Sequence, residues 1–250
     1  MPSWPKPIYH DSSWETAVSK ADFTMAEELL SVTDFNPRDG WRARTEGIRI
    51  RTIQYPFYPG VRSLEILLPL PFGEGHVLGA WMVSDEGQFL RKANGPTLPT
   101  SDAPSTYFLD GTSPPIHELN GKLPISIRDG AAAADYLRFF TAHVWGEAGG
   151  FYICDDRSNL PWTEGAQGEV SDRAGQLLKP FCAGTKASPS NEFWTLDAVV
   201  LYGRGLFAAQ FEVEPGGMVR MLDDNGIMND LPLHPERRES GFRKFLPGEL

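Results

Sequence analysis

The residues best placed to do chemistry lie in the run Trp41-Arg42-Ala43-Arg44-Thr45-Glu46-Gly47-Ile48-Arg49-Ile50-Arg51. Strand side chains alternate between the two faces of a sheet. With Glu46-Gly47 as a two-residue hairpin turn, Arg44 lies opposite Arg49 and Arg42 opposite Arg51. Arg42, Arg44, Arg49 and Arg51 then share one face, and Trp41, Ala43, Ile48 and Ile50 the other. Like charges directly opposite destabilise a sheet, so such a ladder seeks an anion. The guanidinium fork matches carboxylate and phosphate. Three partners satisfy it: the chain's own acidic residues, a partner protein, or an anionic small ligand. A slip of one residue in register scatters the arginines.

A second set has the residue types for acid–base work. His117-Glu118 follows Pro114-Pro115-Ile116 in an expected loop, and a loop His beside a carboxylate can move protons. His143 falls near the end of an expected helix, where the helix C-terminus favours it. Asp155-Asp156 follows the short apolar run Phe151–Cys154. If that helix and strand fold back on each other, His143 approaches Asp155. The candidates for catalysis are therefore His117, Glu118, His143 and Asp155, without a motif to bind them together.

Other motifs fail on context. Gly203-Arg204-Gly205-Leu206-Phe207-Ala208 has dinucleotide-fingerprint spacing, with Asp223 about twenty residues on. However, Phe207, Ala209, Phe211 and Val213 alternate as a strand does. Pro215-Gly216-Gly217 then leaves no room for a crossover helix. Asp223-Asp224-Asn225-Gly226 lacks the later carboxylate of a calcium loop, because position 234 is His, and reads as a hairpin turn. The five histidines lack zinc spacing, so no metal and no cofactor is expected. There is no nucleophile elbow and no Walker loop. Cys154 and Cys182 have neither metal spacing nor an evident base, and Cys154 reads as a buried small hydrophobe.

The elements that must position these groups follow from periodicity. Ser12 to Leu29 shows helical spacing and two capping boxes, Ser12 with Glu15 and Thr24 with Glu27. Ile48–Tyr55, Val61–Leu68, Val77–Val83 and Gln88–Ala93 read as an antiparallel meander. Residues 94–115 form a long Pro/Ser/Gly-rich segment. The clearest helix runs over 129–145, capped by Asp129, with Ala133, Leu137, Phe140 and Val144 on one stripe. Residues 155–192 are irregular apart from a short helix over Asp172–Lys179. Phe193–Tyr202, Leu206–Glu214 and Met218–Leu222 close the chain as strands.

These elements predict an α+β fold: antiparallel β-meanders packed on the long amphipathic helix 129–145, an arrangement that cystatin-like folds use in the way expected here of the second half. Residues 1–250 read as one compact lobe, with an alternative subdivision into 1–110 (helix plus meander) and 111–250 (helix plus sheet). At 41% hydrophobic, 250 residues can bury a large core. A net charge of −10 repels phosphate backbones, so nucleic-acid binding is disfavoured. No run reaches the ~20 apolar residues of a membrane helix and the N-terminus lacks a signal-type apolar core, so the expected location is the cytoplasm. The leading expectation is a non-catalytic binding or assembly protein, with a protein partner or further copies of itself. It uses the arginine-rich hairpin and the long irregular segments. The alternative is a small-ligand binder or enzyme with a pocket between the central helix and the sheet.

Overall fold

The computed structural model describes residues 15–16, 26–27, 29–30, 33, 48–70, 75–84, 106–163, 165–166 and 168–246. They divide into two compact units. One is residues 125–237, and the other combines the described part of 11–124 with the described part of 238–248.

In the second of these units, β1 (Glu15–Thr16), β2 (Arg49–Gln54), β3 (Val61–Pro69) and β4 (His76–Ser84) pair antiparallel in chain order. The far edge of β4 is shared. Its first residues pair with β12 (Phe242–Phe245), and its last with β5 (Thr106–Phe108). The strand β11 (Arg237–Glu239) completes this seven-stranded sheet beyond β12. One face carries Ile48, Leu64, Ile66, Leu68, Val77, Trp81 and Val83, which pack with Ala26, Leu29, Leu30 and Phe242 into a single apolar cluster. Burying such a cluster is the main force that holds the strands in this register. The helix α1 (Pro114–Lys122) packs on β5 and starts on two prolines, whose fixed φ suits the first turn.

In the other unit, β6 (Trp145–Gly146), β7 (Gly149–Ile153), β8 (Trp194–Tyr202), β9 (Gly205–Val213) and β10 (Val219–Met228) form a five-stranded antiparallel sheet in the order β10-β9-β8-β7-β6. The β8–β9 hairpin turns at Gly203, whose φ of +61° is costly for residues with a side chain. The helix α2 (Gly130–His143) packs chiefly on β7 and slightly on β8. The helix α3 (Glu169–Leu177) supplies Ala174 to a cluster with Tyr152, Cys154, Val199, Leu201, Leu206, Leu231 and Leu233.

The helix expected over 129–145 is present as Gly130–His143, with Asp129 accepting a hydrogen bond from Ala132 N–H (2.8 Å). It is not the organising element. Among the described residues, 41% are strand and 22% helix, the helices are short, and each unit is built mainly of antiparallel sheet. The α+β expectation of meanders laid on a long helix, cystatin-like in the second half, is therefore overturned. The physical reason lies at the C-terminal end of the helix. Val144 is extended, and Trp145–Gly146 turns straight into a hairpin with Gly149–Gly150. A helix that short covers only the strands beside it, and the remaining apolar runs bury themselves by pairing with one another.

Two further expectations change. Glu15–Thr16 is a strand paired with Arg49–Ile50, not helix, although Ala26–Glu27 and Leu29–Leu30 are helical. Asn225-Gly226 is not a hairpin turn. Both residues pair with β9 inside β10, Asn225 with Ala208 and Gly226 with Phe207. Local turn preference yielded there to strand pairing, at the cost of bulges on either side, between Met221 and Asp223 and between Gly226 and Met228.

Candidate functional site

The expected arginine ladder is only partly within view. Arg42, Arg44 and the turn Glu46-Gly47 lie outside the described residues. Arg49 is exposed on β2. Arg51 is buried, and its register partner on β3 is Glu65. Arg51 Nε donates to Glu65 Oε2 (3.0 Å), and its terminal nitrogen reaches the same oxygen. Arg51 is thus satisfied by the chain's own acid. Alternation puts Arg49 and Arg51 on one face, but only the second is enclosed.

The four acid–base candidates are each engaged separately. His117 and Glu118 sit on α1, not on a loop. Adjacent helical residues point about 100° apart, so the pair cannot converge on one group. Glu118 is exposed and ion-pairs with Lys122 one turn on (2.5 Å), which raises the Lys122 pKa. His143 is buried, with Nδ1 2.8 Å from Phe139 O and its ring against the Phe139 ring. Asp155 accepts from the Arg138 guanidinium (2.6 Å), which also lies over the Phe181 ring. Asp156 caps a 3-10 turn through Ser158 N–H, which holds its carboxyl below the usual range. Cys154 is fully buried, and burial pushes its thiol up to about 12. It is inert at neutral pH.

A concave site lies elsewhere, on the five-stranded sheet. A groove of about 690 Å³ runs over β8, β9 and β10 and is walled by 177–185. Its floor follows from register. Asp197 on β8 pairs with Gln210 on β9, and Gln210 pairs with Asp223 on β10. The three side chains form one row on one face, with the two carboxylate-bearing strands about 10 Å apart. The next row is Val199, Ala208 and Asn225. On this face Ala208, exposed and without a long side chain, leaves the space above the strands open. Gln210 Nε2 donates to Asp197 Oδ1 (2.9 Å), and Asn225 Nδ2 donates to Asp223 Oδ2 (3.2 Å). Each carboxylate keeps further acceptor capacity. The wall supplies Lys179, Thr185 and the exposed Cys182. It is held in place because Gly184 N–H donates to Gly130 O (2.7 Å), and a Cβ on Gly130 would meet the Gly184 carbonyl. No residue of α2 lines the groove.

Sequence reasoning passed over Asp197 and Gln210. The available signal was a charge and an amide placed inside otherwise apolar strands, Trp194–Tyr202 and Gly205–Val213. Asp223 was read as part of a turn. Among the described residues, no group of three or more His, Cys, Asp or Glu side chains is arranged to hold a metal ion, and no helix is long and apolar enough to cross a membrane. No family model, curated protein or solved structure matches this chain.

Proposed function

We propose that this is a non-catalytic binding protein whose groove over β8, β9 and β10 takes up a cationic ligand. The observation that carries the reading is the Asp197–Gln210–Asp223 row on the floor of an open, solvent-reached groove. Two carboxylates spaced by an amide present acceptors to a ligand with separated positive charges or an extended set of donors. The groove holds no histidine, and its thiol, Cys182, is a rim residue that contacts Pro180 O. The arrangement offers recognition rather than proton transfer. Two free cysteines suit the reducing cytoplasm as the place of action.

The test is calorimetric titration with spermidine and with tetralysine at low and at physiological salt. The wild-type chain should bind, with affinity falling as salt rises. Asp197→Asn with Asp223→Asn should weaken binding about tenfold, since each exposed ion pair contributes up to ~1 kcal/mol. Ala208→Phe should block the groove by volume. Equal binding by wild type and the double variant would remove the groove from the function.

A further inference from the structure

We infer that the ligand is an extended basic segment of a partner polypeptide, added to the outer edge of β10 as a sixth strand of the sheet. The inference rests on the cationic-ligand reading and names its occupant. It starts from β10 itself. Among the described residues β10 pairs only with β9, so its other side carries a row of unmatched backbone donors and acceptors. Arg220 to Gly226 are all exposed. Met221 and Leu222 are each 49% exposed, and Met218, just before the strand, is 42% exposed. Isolated exposed apolar residues mean little, but three in five positions along this edge form a surface for side chains of an added strand.

Charge selects the occupant. Arg220 is held by Glu212 and Glu214, so the cation of the strand is neutralised within the sheet. Asp223 and Asp224 have no salt-bridge partner among the described residues, and Asp197 adds a third carboxylate on the Asp223 face. A second copy of β10 is a poor occupant. The antiparallel register that pairs the whole strand with its twofold mate sets Asp223 opposite Asp224, twice, and like charges directly opposite oppose pairing. A shifted register that brings Arg220 opposite Asp224 shortens the ladder and draws Arg220 from Glu212 and Glu214. A strand with Lys or Arg at its centre meets neither obstacle. Asp223 and Asp224 point to opposite faces, so successive basic residues of the incoming strand find an acid on each side. The bulges bracketing Asp223–Gly226 limit the regular ladder, so charge must supply much of the affinity and binding should be salt-sensitive.

The experiment compares three synthetic peptides by fluorescence anisotropy against the full chain: the octapeptide Val-Thr-Val-Lys-Lys-Val-Thr-Val, whose adjacent lysines face opposite sides, and the same peptide N-methylated on one or the other set of alternate residues. Strand addition needs the N–H groups of one set only. The expected result is binding of the parent, near-parent binding with one methylated set, and loss of about tenfold or more with the other. Asp224→Asn, outside the groove, should weaken the parent about threefold. Equal binding of all three peptides would overturn strand addition while leaving the cationic groove intact. Binding of spermidine with no peptide binding would do the same. Absence of binding by every cation would overturn the groove reading and this inference together. Sedimentation showing that the chain alone dimerises, and that Met221→Lys abolishes the dimer, would overturn it in favour of a second copy.

Discussion

Two polar rows cross antiparallel sheets in this protein, and their environments differ. In the seven-stranded sheet, Arg51 and Glu65 face each other and are sealed, 8% and 3% exposed. In the five-stranded sheet, Asp197, Gln210 and Asp223 line an open groove with no cation bound to either acid among the described residues. Register creates both rows by the same rule, one residue opposite another on the same face. The difference is what lies above the row. A sealed charge must find its partner within the chain, because stripping its hydration costs several kcal/mol. A solvated carboxylate is under no such demand and stays available to an outside partner.

The largest expected effect comes from breaking the sealed row. Glu65→Ala takes from buried Arg51 the carboxylate it faces, and urea unfolding should show a loss of about 3–5 kcal/mol. Arg51→Met combined with Glu65→Leu should return to within about 1 kcal/mol of wild type, since a buried pair is replaceable by apolar packing. A small loss in the single variant would mean that the row is not sealed, and the contrast would collapse.

The two thiols sharpen the contrast within one unit. Cys154 belongs to the buried cluster and Cys182 to the groove wall. Under native conditions Cys182 should react with a disulfide reagent about a hundredfold faster than Cys154, whose pKa is raised by burial. Saturating spermidine should slow Cys182 and leave Cys154 unchanged. Comparable rates for the two thiols would contradict the groove geometry.

His76 gives a smaller, pH-dependent effect at the rim of the sealed sheet. Burial, and then the Arg49 charge, hold its pKa below 6.5. The folded state therefore favours the neutral ring. The stability it contributes is complete above pH 6.5 and is lost as pH falls through the lower folded value. His76→Gln should flatten that part of the stability–pH curve measured by urea unfolding. An unchanged curve would show that the ring is not shielded.

The smallest effect belongs to the open row. Asp197→Asn should change stability by less than about 0.5 kcal/mol while weakening spermidine binding. If the fold suffers instead, Asp197 is structural, and the two rows are the same kind of feature.

The sequence by itself determined most of the longer strands, because alternation and turn residues are local. Val61–Pro69, His76–Ser84, Trp194–Tyr202 and Gly205–Val213 fall within a residue or so of their expected limits. It also marked Asp129 as the start of a helix, since capping needs only the next turn. What only the tertiary structure decided was pairing and cover. Asn225-Gly226 has the local preference of a turn, yet β9 captured it as strand. His117-Glu118 reads as loop beside its prolines, yet those prolines open a helix. Arg51 and Arg49 are two residues apart on one strand, and nothing local says which is sealed. Asp197 and Asp223 are far apart along the chain and become neighbours only across Gln210. A row of that kind is made by register between strands, and register depends on which faces of distant segments are buried together.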